Sequence, residues 1–276
     1  MSDNNSVANF SLLMSVYEHD KPEHLRKALD SVVCSVVKPD EVCIVFDGYV
    51  IEENVNLISS FMSNLSIKTV KLDENVGLGR ALNIGLSFCS NELIARFDSD
   101  DICHPLRFKK QMDFFKSNPQ VDIVGTWIAE FDHDHKFIHA LRRPPTTHQD
   151  IIRYAKNRNP FNHMTVMYRK SKVLEAGSYQ DNYLYEDYAL WVRMINNGAV
   201  TANIPEALVY ARTGNGMEIR RGGFKYAYSE CSAQISFYKS GFISELQLCK
   251  NLLVRVPVRL LPGDIRKSVY RNFLRK

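Results

Sequence analysis

What this sequence lacks narrows it first. Its six cysteines, Cys34, Cys43, Cys89, Cys103, Cys231 and Cys249, include no C-x-x-C pair, and most sit in apolar stretches. That excludes a cysteine-built zinc or redox motif and leaves the expectation of reduced core thiols in a cytoplasmic protein. No run approaches the ~18 apolar residues of a membrane-spanning helix. "MSDNNSVANF" has no basic stretch followed by an apolar one, so no signal peptide is expected. Charge of one sign is also scarce: 35 Lys and Arg face 31 Asp and Glu, a net +4 that is too mild for a dedicated nucleic-acid binder. There is no internal repeat and no low-complexity segment. What remains is a 276-residue chain, 45% hydrophobic and 24% charged, able to bury a sizeable core. Its length suits one large domain, or one with a C-terminal extension.

The first hundred residues alternate in character. "FSLLMSV" (10–16), "EVCIVF" (41–46), "IKTVKL" (67–72) and "ELIARF" (92–97) are short strand-like runs. Between them, 21–37, 51–65 and 77–89 have helical periodicity. This alternation predicts an α/β fold with a parallel sheet covered by helices on both faces. Ligands of such sheets bind beyond the carboxyl ends of the strands, where "VFDG" and "RFDSDD" would lie. Further on, a helix is expected over 104–119 and strands over 121–131 and 164–168. "RRPPTTH" (142–148) is expected to be an open loop, because of its paired prolines. Helices follow at 149–157, near 170–177 and at 185–198, then extended chain at 199–212 and a mainly helical end.

"ARFDSDD" (95–101) puts three carboxylates behind a buried strand. In extended chain Asp98 and Asp100 point the same way, and two such carboxylates repel unless a cation lies between them or one is protonated. Carboxylate oxygens suit a hard divalent ion, Mg²⁺ or Mn²⁺, with positions left for phosphate oxygens. A calcium loop fails, because the positions that need Gly and Glu hold Cys103 and Lys109. A solvated turn whose Asp101 caps the next helix is the plainer alternative.

Three other places carry candidate chemistry. Asp47 could accept hydrogen bonds from a nucleobase or ribose, and equally fits a turn before Gly48. In "ENVGLGRALNIG" (74–85), Gly77 and Gly79 allow close approach near a helix start, while Arg80 and Asn83 could reach a phosphate or ribose. It is not a P-loop, since no G-K-[ST] follows. "LYEDYALW" (184–191) places Glu186 and Asp187 at a helix start, where the helix dipole favours their ionised forms. Either ordinary charge placement or a general base fits that position.

Taken together and in order, "SVY", "VFDG", "ENVGLGRALNIGL", "ARFDSDD" and "YEDYALWVRM" resemble the family-2 inverting glycosyltransferases of GT-A fold, over roughly residues 10–215. "DSDDICHPLRFKKQ", "NPFNHMTVMYRKS" and "EIRRGGFKY" look more narrowly like bacterial enzymes of O-antigen, capsule and amylovoran-type exopolysaccharide assembly. The resemblance implies a Rossmann-like, mostly parallel sheet in a domain spanning 1–215, with a nucleotide-binding half over 1–103 and an acceptor half over 104–215. A helical, basic extension would occupy 216–276. It implies a UDP-sugar donor, with Ser15, Val16 and Tyr17 lining the nucleotide pocket and Asp47 on the uracil or ribose. Arg80 and Asn83 would lie near the diphosphate. Asp98, Ser99 and Asp100 would form a D-x-D element, with Asp98 and Asp100 holding Mn²⁺ (or Mg²⁺). Asp187 would be the catalytic base with Glu186 beside it, and His163 and Trp191 would touch the acceptor. The Q-x-x-R-W motif of processive members is absent, so one sugar per acceptor is expected. The implied acceptor is a sugar on a lipid diphosphate, GlcNAc-diphosphate-undecaprenol joined in β1,3 linkage.

Seven basic residues (Arg255, Arg259, Arg266, Lys267, Arg271, Arg275 and Lys276) against the single acid Asp264 interleave with apolar residues at the C-terminus. Such a stretch fits peripheral contact with an anionic inner membrane, and equally a solvated helix packed on the body. A sugar nucleotidyltransferase is the alternative enzyme, although "YEHDKPEHL" after the first strand lacks its glycine-rich, basic signature. A non-catalytic nucleotide-sugar-binding or scaffold protein is the alternative without chemistry.

Overall fold

The four apolar runs of the first hundred residues form neighbouring parallel strands: β1 (Phe10–Val16), β2 (Glu41–Phe46), β3 (Ile67–Lys71) and β4 (Leu93–Arg96). Helices α1 (Pro22–Val33), α2 (Glu52–Ser60) and α3 (Leu78–Phe88) connect them. The architecture is that of a computed structural model, which describes residues 9–213 and 222–262. Register brings Val16 beside Phe46 and Phe46 beside Lys71, with Leu13 beside Arg96. The strands therefore deliver Asp47 and Asp98 to one edge.

The sheet continues through β5 (Ile102–Cys103), β6 (Ile123–Phe131), β7 (Ile138–Arg142), β8 (Met167–Arg169) and β9 (Thr201–Arg212). Its nine strands run in the order β3-β2-β1-β4-β8-β6-β9-β5, with β7 added beside β6. Strands β1–β4, β6 and β9 share one direction, and β5, β7 and β8 oppose it. The sheet is thus mostly parallel, in an α/β fold. Helices α4 (Arg107–Ser117), α5 (His148–Ala155), α6 (Lys170–Glu175) and α7 (Glu186–Asn196) join these strands, and α8 (Phe224–Lys239) and α9 (Glu245–Leu260) end the described chain.

Strand alternation sorts the core into two layers. Leu12, Met14, Val42, Ile44 and Phe46 pack on one face with Leu25, Leu29 and Phe108. Leu13, Cys43, Val45 and Ile94 pack on the other with Leu82, Leu86, Leu190 and Trp191. Gly85 sets the second spacing: a Cβ there would lie 2.5 Å from Val45 Cγ2 and 2.7 Å from Leu13 Cδ1, so α3 can close on the sheet only without one.

Several boundaries differ from the sequence reading. Helix α1 stops at Val33, and Val37 turns inward against the core ahead of Pro39. The stretch 164–168 divides into a 3₁₀ turn (His163–Thr165) and β8. Strand β5 is too short to stand out in the sequence, and β7 is mostly exposed and lacks the apolar run of a buried strand.

The C-terminal hairpin forms a third core with the base of α7, joining Tyr188, Ala189 and Val192 to Ala233, Phe237 and Ile243. Its centre is ionic. Glu230, fully buried, accepts hydrogen bonds from Arg255 Nε (2.6 Å), Arg259 Nη2 (3.1 Å) and the Tyr185 hydroxyl. Burial works against its charge, but the two guanidiniums hold its carboxyl below the usual range. For these two residues of the basic tail the structure matches the alternative of a helix packed on the body. Arg255 and Arg259 face inward, because an unpaired buried carboxylate would cost several kcal/mol. The five other basic residues of that tail, and the "EIRR" of "EIRRGGFKY", lie outside the described residues.

Candidate active site

Three carboxylates meet where β4 ends. Ligand oxygens of Asp98, Asp100 and Asp101 all lie within 4.8 Å of one another. Asp98 pairs with Arg96 Nη2, whose side chain is 2% exposed. The carboxylate of Asp101 is buried; Oδ1 accepts the Arg212 N–H at 2.8 Å and Oδ2 has no partner. Helix α4 begins only at Arg107, with Leu106 as its cap residue. Asp101 therefore does not cap that helix, as the plainer reading had it, but anchors β9.

Asp20 is a fourth acid that sequence reasoning missed. Its oxygens accept the Ser99 hydroxyl at 2.6 Å and the Tyr17 N–H at 2.7 Å. Burial, then neighbouring Asp98, raises its pKa. Burial, then Asp98 and Asp20, pushes Asp100 up to about 6, while burial, then Asp100 and Asp98, lifts Asp101 well above the ordinary value. A group of acids that repel in this way is what a cation would relieve. Oxygens on opposite sides of a Mg²⁺-sized ion stand roughly 4 Å apart, close to the spacing seen here. The donor set and the orphaned Asp101 Oδ2 thus fit a hard divalent ion. The signal for Asp20 was "YEHD", but a contact to Ser99 from so far along the chain cannot be read from spacing.

Beside the cluster, the Asp47 carboxylate accepts the Val76 N–H (2.7 Å) and the Gly77 N–H (3.1 Å). It clamps the loop ahead of α3. Gly48 makes the clamp possible: its φ is +77°, and a Cβ there would meet Asn75 N at 2.6 Å. A pocket of about 460 Å³, lined by Lys71, Leu72, Asp73, Glu74 and Val76, opens next to this loop. Ser15 is half-buried and Tyr17 is 36% exposed at the end of β1. Val16 is fully buried in the core, backbone included, and its carbonyl accepts the Asp47 N–H at 2.9 Å, so it does not line a pocket as expected.

Arg80 and Asn83 turn elsewhere. Arg80 Nη2 pairs with Asp181 at 2.6 Å in an exposed ion pair, and Asn83 Oδ1 accepts the Ser178 hydroxyl. Both tie α3 to the segment that leads into α7. Gly79 reinforces this: a Cβ there would lie 2.9 Å from Glu186 Cβ, so the two helix starts touch.

At the start of α7, Asp187 Oδ2 accepts Asn159 Nδ2 (2.6 Å) and Oδ1 accepts the Tyr188 N–H (2.6 Å). Burial raises its pKa against these hydrogen bonds and against the nearby Arg96 and Arg142. A half-buried carboxylate of raised basicity, fixed in orientation, has the properties of a general base. Arg96 links the two ends of the site, since it pairs with Asp98 and also lies near Asp187. Neither Asn159 nor Arg96 was singled out from sequence.

The two acceptor candidates separate. His163 is half-buried; its Nε2 pairs with the Tyr179 hydroxyl at 3.0 Å, and burial, then Arg96, keeps its imidazole neutral. Trp191 is 1% exposed and packed among Phe161, His163, Tyr168 and Tyr179. Its assignment as an acceptor contact is withdrawn, because the hydrophobic face of α7 buries it.

Comparison with known proteins gives the family and the fold. Residues 11–177 match the model of glycosyl transferase family 2, a stretch that holds the acidic cluster and ends before Asp187. A UDP-Gal:alpha-D-GlcNAc-diphosphoundecaprenol beta-1,3-galactosyltransferase of Escherichia coli is 41% identical, over 100% of this chain and 99% of its own. The amylovoran biosynthesis glycosyltransferase AmsE of Erwinia amylovora is 38% identical, over 95% of this chain and 98% of its own. Among solved structures, the mannosyltransferase PcManGT of Pyrobaculum calidifontis, in complex with GDP-Man and Mn²⁺, superposes with a TM-score of 0.66 at 13% identity. That superposition covers 96% of this chain and 75% of the other.

Proposed function

Because the chain belongs to glycosyl transferase family 2, we propose that it moves one hexose from a UDP-sugar to a lipid-diphosphate-linked sugar, inverting the anomeric centre. The acceptor in this reading is GlcNAc-diphosphate-undecaprenol, joined in β1,3 linkage. Of glucose and galactose, galactose is the donor sugar to test first, since the relative of 41% identity uses UDP-Gal. The observation that carries the reading is the placement of Asp187 and the Asp98–Asp100–Asp101 cluster around one buried cation, Arg96.

In the proposed reaction the acceptor hydroxyl attacks the anomeric carbon while Asp187 takes its proton. Asn159 and the Tyr188 N–H hold the carboxylate in one orientation, so little ordering is left for the moment of reaction. UDP departs on the opposite face, turning an α donor into a β product. The pocket beyond β3, with the Asp47-clamped loop and the ends of β1 and β2, is the site assigned to the nucleotide. Asp98 and Asp100, with Asp101 beside them, would hold Mn²⁺ or Mg²⁺, which supplies positive charge against the diphosphate. Ser99 supports this set through Asp20.

No helix among the described residues is long and apolar enough to cross a membrane. We place the enzyme on the cytoplasmic face of the inner membrane. Helix α9 turns Gln247, Asn251 and Arg255 inward and leaves Leu246 (84%), Leu253 (76%) and Val254 (54%) exposed. Exposed Lys250 and the five basic residues of 263–276 suit an anionic bilayer. Co-sedimentation with phosphatidylglycerol vesicles is expected for wild type and lost in Leu246→Glu/Leu253→Glu. Equal binding by both proteins would exclude this face.

UDP release from a panel of UDP-sugars, with GlcNAc-diphosphate-alkyl acceptor, tests the reaction. Acceptor-dependent release from UDP-Gal or UDP-Glc alone is expected. Donor binding without release on any acceptor would point to the binding-protein reading instead.

A further inference from the structure

Two diphosphates must enter the proposed reaction, one on the donor and one on the acceptor. The acid cluster and its cation serve the first. The second hangs from the same sugar ring whose hydroxyl faces Asp187, so it must lie no more than about one ring's width from that base. A cation is needed there, because two diphosphates repel and the acid cluster adds to the repulsion.

Arg142 stands at that position. It is the last residue of β7, is exposed, and donates from Nη2 to the Asn159 carbonyl at 3.3 Å. The side chain of the same Asn159 holds Asp187 at 2.6 Å. One residue therefore separates the guanidinium from the base. Arg96, also close to Asp187, is 2% exposed and paired with Asp98.

A second observation comes from the strand itself. Among the described residues β7 pairs with β6 alone and is mostly exposed, so Arg142 at its end is reached from solvent.

We propose that β7 is the acceptor-docking strand, with Arg142 binding the diphosphate of the lipid-linked acceptor. This rests on the lipid-diphosphate reading above. Arg142 acts as a binding residue and leaves the proton transfer to Asp187. A guanidinium suits the task, since its fork of donors can engage phosphate oxygens in pairs.

The test compares two acceptors with the same alkyl tail, GlcNAc-α-diphosphate-alkyl and GlcNAc-α-O-alkyl. Wild type should prefer the diphosphate. In Arg142→Ala the preference, measured as the ratio of kcat/KM values, should collapse by roughly ten- to a hundredfold, mostly through KM. Arg142→Lys should recover part of it. Arg143→Ala is the control, since Arg143 stacks over Trp127 at 5.4 Å and has no contact with Asn159. Equal losses on both acceptors would mean that Arg142 only shapes the loop or the base, and would overturn the proposal. So would an unchanged ratio. If wild type turns over neither acceptor, the functional reading fails by itself. Binding of a fluorescent alkyl diphosphate to wild type and Arg142→Ala then still decides for or against the site.

Discussion

Asp187→Asn is expected to slow transfer by roughly 10²–10⁴-fold, the range usual for loss of a general base, while UDP-sugar still binds. The separation is expected because Asp187 lies at the start of α7, away from the Asp47 clamp and the pocket beyond β3. Isothermal titration with UDP-sugar and stopped-assay turnover measure the two properties. The new amide still offers an oxygen to the Tyr188 N–H but presents an NH₂ to Asn159, so a modest fall in melting temperature should accompany the change. The pH profile adds a second readout. A base works ionised, so activity should rise with pH through the pKa of Asp187, which burial holds above 3.8. Asn159→Ala removes a hydrogen bond that favours the ionised form and should move that rise to higher pH. In Asp187→Asn the rise should vanish. Wild-type turnover by Asp187→Asn would end its assignment as the base.

Asp100→Ala is expected to lower activity at least a hundredfold and to abolish its dependence on added Mn²⁺. Here the effect on stability should run opposite to the effect on function. Burial and the charges of Asp98 and Asp20 push Asp100 up to about 6, so without a cation its carboxylate is repelled by its neighbours at neutral pH. Removing it should leave the metal-free melting temperature unchanged or higher, whereas Mn²⁺ should raise that of wild type more than that of the variant. Calorimetry with and without Mn²⁺, paired with activity in chelator, checks both halves. Undiminished activity in chelator would remove the metal from the account.

Much of this site was legible in the sequence because it lies on parallel strands. Such strands are buried on both faces and read as apolar runs, so β1, β2 and β4 and the acids that follow them stood out. The grouping of Asp98 and Asp100 was read from strand alternation, but β4 ends at Arg96 and a turn at Ser99 and Asp100 brings the acids together. What could not be read depends on contacts between distant segments. Asp20 reaches Ser99, Asn159 reaches Asp187, and Arg80 turns to Asp181, and no local pattern encodes such choices. Helix α9 was hard to read for a different reason. Polar residues are expected outside, but here Arg255 serves a buried carboxylate, Asn251 donates to the Lys156 carbonyl and Gln234, and leucines take the exposed face. Trp191 misled in the opposite sense: expected to touch the acceptor, it fills the core.

The short segment leaving α5 is held from two sides. Helix α9 grips it through Asn251 on the Lys156 carbonyl (2.8 Å), Gln247 on Asn157 Oδ1 (3.0 Å) and Arg255 on the Asn157 carbonyl. Two residues further on, Asn159 grips Asp187. The final hairpin thus works as a brace for a carboxylate it never touches. A chain ended after β9 would keep every acid of the site and lose the frame that aims one of them. Such a truncation should resemble a catalytic defect although no catalytic side chain is missing.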